Sequence, residues 1–101
     1  MTTKEDISGS FAPTSWLNNL NDYDITVVSK DGCKYCDKSI KVLEKNNVKY
    51  QKINISEYMN DEDFDDKYDD LITQSGAKSF PIIYQRDRYI GGYNELKKVE
   101  I

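Results

Sequence analysis

The spacing of apolar positions changes period several times along the chain, and each change marks an element. Ile25, Thr26, Val27 and Val28 form an unbroken β-branched run within residues 24–29. That is the pattern of a strand buried on both faces. After the polar Lys30-Asp31-Gly32 loop the spacing turns helical. Cys36, Ile40 and Leu43 share one face, while Lys34, Lys38, Lys41 and Lys45 fall largely off it. Asn46-Asn47 ends this helix, because Asn tolerates the left-handed conformation. Val48 to Ile55 reads as a second strand with Tyr50, Ile53 and Ile55 inward, and strand-helix-strand order predicts a parallel pair with a right-handed crossover. Phe64, Tyr68, Leu71 and Ile72 give the stripe of a helix over residues 61–74, with Gly76 just past its end. Pro81 to Gln85 and Arg88 to Ile90 flank a tight Arg86-Asp87 turn and form a hairpin. Gly91-Gly92 breaks it, and Asn94 is the expected cap of a last short helix carrying Leu96 and Val99. Upstream, Pro13-Thr14-Ser15 starts and Asn21-Asp22 ends a short helix with Trp16, Leu17 and Leu20 on one face.

The predicted fold class is α/β: a four-stranded mixed sheet with flanking helices, in the order (α)-β-α-β-α-β-β-α. Met1 to Ala12 shows no apolar period and is expected to be a flexible tail, with residues 13–101 as a single domain. No repeat is visible. No run of about 18 or more apolar residues suits a membrane span. The polar, mixed-charge N-terminus resembles neither a secretory signal nor a transit peptide, so the expected location is cytoplasmic.

Charge refines this outline. The net charge is -4, yet residues 57–70 hold eight acids against one base, Lys67, leaving about +3 for the rest. The acids crowd the first turns of the second helix, where they suit its dipole but repel one another. They read as a solvated face or, more specifically, as a docking surface for a basic partner. The basic residues do not cluster beside exposed aromatics, so no nucleic-acid partner is expected.

The chemistry is concentrated in Cys33-Lys34-Tyr35-Cys36, which contains both cysteines of the chain. In the expected compartment thiols are kept reduced, so a close pair handles electrons or metal rather than stapling a fold. Histidine is absent. That removes Ser-His-Asp and Cys-His catalysis and the commonest metal ligand. A zinc site would need a second pair of ligands, which the chain lacks. A redox-active dithiol fits best: Cys33 falls at a helix N-terminus, where free N–H groups, the dipole, Lys30 and Lys34 favour a thiolate. Cys36 lies one turn in on the apolar face, suited to resolve a mixed disulfide.

Three separated motifs resemble the glutaredoxin family of the thioredoxin-like fold. Lys30-Asp31-Gly32-Cys33-Lys34-Tyr35-Cys36 is similar to Lys-x-x-Cys-Pro-Tyr-Cys. Gly76-Ala77-Lys78-Ser79-Phe80-Pro81 is similar to Gly-x-Arg-Thr-Val-Pro, and Ile90-Gly91-Gly92-Tyr93-Asn94-Glu95-Leu96 to Ile-Gly-Gly-x-Asp-Asp-Leu. The resemblance implies that Cys33 is the nucleophile and Cys36 the resolving thiol. It also implies a cis bond before Pro81, with the Phe80 backbone pairing with the cysteinyl part of glutathione. Lys30 and Lys78 would meet the glycyl carboxylate, and the backbone at Gly92, Tyr93 and Asn94 the γ-glutamyl carboxylate, with Tyr35 flanking the sulfur. Lys34 stands where the family has Pro, Phe80 where it has Val, and Asn94 where it has Asp.

The activity so implied is that of a glutathione-dependent thiol-disulfide oxidoreductase, an enzyme of electron transport and cell redox homeostasis. It would reduce protein disulfides and glutathione mixed disulfides. Expected partners are glutathione and disulfide-bearing or glutathionylated proteins, ribonucleotide reductase among them, with the protein itself a monomer. Two alternatives stay open. One is a dimer binding a 2Fe-2S cluster through Cys33 and glutathione, which some family members without the motif Pro do. The other is a thioredoxin-like protein reduced by a flavoenzyme, against which Lys30 and Lys78 argue.

Overall fold

The structure, a computed structural model, describes residues 16–99. It contains β1 (Ile25–Ser29), α1 (Lys34–Lys45), β2 (Tyr50–Asn54), α2 (Phe64–Ser75), β3 (Ile82–Gln85), β4 (Arg88–Gly91) and α3 (Tyr93–Lys98), with 3-10 turns at Leu20–Asp22 and Ile55–Tyr58. The sheet order is β2-β1-β3-β4. β1 runs parallel to β2, with Val27 opposite Lys52, and antiparallel to β3, with Val27 opposite Ile83. β3 and β4 form the antiparallel hairpin, with an irregularity at Ile83/Tyr84. This is the predicted four-stranded mixed sheet.

Helices cover both faces, which is why β1 is buried at all five positions. Alternation along the strands sends neighbouring residues to opposite layers. Ile25, Val27 and Ile83 meet Leu43 of α1 and Leu96 of α3. Val28, Ile82 and Tyr84 meet Leu71 of α2, Ile55 and the N-terminal residues Trp16, Leu17 and Leu20. Gly76 closes α2 at φ 73, a left-handed conformation that glycine adopts without a Cβ clash. Among the described residues no helix is long and apolar enough to cross a membrane.

Several boundaries differ from the sequence reading. Residues 1–15, including the expected tail and the Pro13-Thr14-Ser15 helix start, lie outside the described residues. Among the described residues of the expected N-terminal helix, only the 3-10 turn is formed, and Asn19 preceding it is left-handed at φ 58. Trp16, Leu17 and Leu20 are nonetheless buried. Docking of Trp16 on Phe64 and Tyr58, at centroid separations of 5.2 and 5.9 Å, positions this stretch without a regular helix. Short helices have little stability of their own, so tertiary contacts decide. β2 is an edge strand, so Tyr50 and Ile53 are only half-buried, and Ile55 is buried from the following 3-10 turn. α2 starts three residues later than predicted. α3 is capped by Gly92, not Asn94, which lies inside its first turn.

Candidate active site

β1 ends beneath a three-residue loop that presents Cys33 as the N-cap of α1. Cys33 and Cys36 form a disulfide with their Cα atoms 5.2 Å apart. The Cys36 backbone N–H also points at the Cys33 Sγ, 3.2 Å away. A helix-terminal N–H aimed at this sulfur is the arrangement that favours a thiolate once the pair is reduced. The sulfurs are unequally accessible: Cys33 is half-buried and Cys36 only 1% exposed. Of the two cysteines, Cys33 is the one presented to solvent.

The loop is held from the end of β2 and the 3-10 turn that follows it. Asp31 N–H donates to Ser56 Oγ at 2.8 Å, Asn54 Nδ2 donates to Asp31 Oδ1 at 3.0 Å, and Ser56 N–H donates to Asn54 Oδ1 at 3.0 Å. This clasp joins segments more than twenty residues apart, and no sequence motif announces it. The available cue was two small polar residues, Asn54 and Ser56, where an apolar strand ends.

A groove of about 540 Å³ runs between the loop before β3 and the start of α3. Tyr35, Lys78, Phe80, Pro81, Gly92, Tyr93 and Asn94 all line it, so seven of the sequence-predicted site residues share one concavity. Lys30 reaches it indirectly, with Nζ 5.2 Å from the centre of the Phe80 ring. The Phe80-Pro81 peptide bond is cis. Cys33 and Cys36 stand beside the groove rather than in its lining, linked to it by Tyr35.

Gly76, Ser79, Tyr89, Gly91 and Glu95 complete the lining and were missed as site residues. Gly76, Ser79, Gly91 and Glu95 lie inside the quoted motifs, but spacing alone gave them no role. Glu95 turns back to accept the Gly92 N–H at 2.8 Å. Backbone N–H groups at Gly92 and Glu95, helped by Lys98, hold its carboxyl below the ordinary value. Burial, reinforced by Glu95, pushes the Tyr89 hydroxyl up. Gly91 has φ 129, and a Cβ there would collide with the Glu95 side chain.

A thiol pair at the head of a helix that follows the buried central strand, on a sheet covered from both sides, defines a thioredoxin-like thiol-disulfide oxidoreductase. Residues 25–90 match the glutaredoxin family model, and the chain belongs to the glutaredoxin family. No curated protein sequence matches it. The fold is similar to that of a buckwheat glutaredoxin-glutathione complex, at 24% identity over 78% of this chain and 69% of that one, TM-score 0.65. It is also similar to oxidised glutaredoxin 2 from Chlamydomonas reinhardtii, at 25% identity over 78% and 72% of the two chains, TM-score 0.62. Glutaredoxin 1 from Francisella tularensis, complexed with cacodylate, is 29% identical over 73% of this chain and 87% of its own, TM-score 0.57.

Among the described residues no three His, Cys, Asp or Glu side chains converge, and both thiols are joined to each other.

Proposed function

We propose that the protein is a glutathione-dependent dithiol oxidoreductase that reduces protein disulfides and glutathione mixed disulfides through Cys33 and Cys36. The observation that carries this reading is the unequal pair, accessible Cys33 over buried Cys36, beside a groove lined from Lys78 to Pro81 and from Gly92 to Asn94. A structurally similar buckwheat glutaredoxin is a complex with glutathione.

In the reaction, the Cys33 thiolate attacks one sulfur of the substrate disulfide. A Cys33–substrate bond forms, the substrate S–S bond breaks, and the other sulfur leaves as a thiolate that takes a proton from water. Cys36, deprotonated, then attacks the Cys33 sulfur and releases the second substrate thiolate. Two electrons have passed to the substrate, and Cys33 and Cys36 are oxidised to the disulfide. One glutathione thiolate reopens it as a Cys33–glutathione mixed disulfide, and a second releases oxidised glutathione. The groove orients the tripeptide, with Lys30 and Lys78 toward one carboxylate and the backbone at Tyr93 and Asn94 toward the other. Phe80 and Tyr35 supply apolar walls.

Glutathione-dependent reduction of a small glutathione mixed disulfide tests the assignment. Cys33→Ser is expected to lose all activity. Cys36→Ser keeps deglutathionylation and loses dithiol reduction of protein disulfides. Full activity in Cys33→Ser, or equal loss of both activities in Cys36→Ser, would overturn the assigned roles.

A further inference from the structure

Charge is divided between the two helical layers. α1 and α3, on one face of the sheet, carry Lys34, Lys38, Lys41, Lys45, Lys97 and Lys98 against three acids. The opposite layer, residues 61–75, carries seven acids and one lysine. The disulfide stands at the head of the basic layer. Two of that layer's three acids are already engaged, Glu95 by the Gly92 N–H and Glu44 by the Tyr50 hydroxyl at 2.9 Å. Asp37 is the third.

Four side chains of this layer form a row beside the thiols. Lys38 Nζ lies 5.1 Å from the centre of the Tyr35 ring, Tyr35 lies 5.6 Å from Tyr93, and Lys97 Nζ lies 4.9 Å from Tyr93. Tyr35 is 51% exposed, a large aromatic surface left open between the two cysteines in sequence. Neither Lys38 nor Lys97 makes an ion pair among the described residues, and neither lines the groove. Glutathione in the groove would leave both lysines available to the other half of a mixed disulfide.

We propose that the Lys38–Tyr35–Tyr93–Lys97 row docks the protein substrate and selects segments whose reactive cysteine is flanked by acidic residues. Carboxylates of the segment pair with Lys38 and Lys97, while its backbone lies across the exposed ring of Tyr35. The inference rests on the oxidoreductase reading and adds a substrate class to it. The acidic opposite layer repels the same segments, so the charge division orients an incoming partner toward the thiols.

The test compares peptides glutathionylated at one cysteine flanked by Glu, Gln or Lys, with a small glutathione mixed disulfide as reference. Wild type is expected to reduce the Glu peptide with a kcat/KM about fivefold above the Gln peptide at low salt, given two exposed charge pairs. The preference lies in KM and fades as salt screens the charges. Lys38→Glu combined with Lys97→Glu reverses the order toward the Lys peptide and leaves the reference reaction unchanged. Equal rates on Glu and Gln peptides, or a preference that survives the double reversal, overturns the proposal. Loss of the wild-type reference reaction would instead overturn the oxidoreductase reading. Fluorescence anisotropy of labelled peptides on the oxidised protein then decides the docking question without turnover: tighter Glu peptide supports it, equal affinity overturns it.

Discussion

At residue 91 the backbone takes φ 129, and the space a side chain would occupy is filled by Glu95. Gly91→Ala is therefore expected to cost about 1–3 kcal/mol of unfolding free energy, measured by urea denaturation, because the residue must both strain the backbone and displace Glu95. Glu95 itself carries a pH signature. Its carboxyl titrates below the ordinary 4.5 because the Gly92 and Glu95 N–H groups favour the charged form. A depressed folded value contributes stability that is complete above the unfolded value and is lost as pH falls through the folded one. Below about pH 4.5, wild type should lose stability more steeply than Glu95→Gln, seen as a larger shift of the urea midpoint. The cysteine pair was legible because its chemistry is written in residue type and spacing. The role of Glu95 was not, since an acid near a helix start looks the same whether or not it folds back on the cap.

At the scale of elements, the loop carrying Cys33 is governed by a neighbour in space. Asn54 donates to Asp31 and caps the 3-10 turn that supplies Ser56. Asn54→Ala removes both interactions and should cost about 1 kcal/mol. It should also slow the reaction of Cys33 with a small disulfide while Cys36→Ser behaviour stays distinct, a comparison for single-turnover kinetics. β1, α1 and the hairpin were readable from periodicity because burial follows it directly. The clasp was not, because its polar residues follow no period. The last helix shows a similar limit: Asn94 has a good capping side chain, but the chain turns two residues earlier, where Gly92 lets Glu95 reach its N–H.

At the scale of the molecule, the fold was legible because β1 carries an unbroken β-branched run, buried along its whole length, and only a centrally placed strand satisfies that pattern. Trp16, Leu17 and Leu20 were read as one helical face because their spacing suits one, whereas among the described residues this stretch is placed by contacts with α2 and the second 3-10 turn. Those contacts run on as a series of rings, Tyr58, Trp16, Phe64, Tyr68 and Phe80, with the Lys30 ammonium over the last. The series has an optical consequence. Trp16 is the sole tryptophan and is 4% exposed, so its emission should be blue-shifted in the folded protein and move to the red on denaturation. The far end of the series lies in the groove. A molecule entering there should perturb the near-ultraviolet circular dichroism of the coupled rings while leaving the tryptophan emission maximum in place, so one chain offers separate spectroscopic windows on its core and on its site.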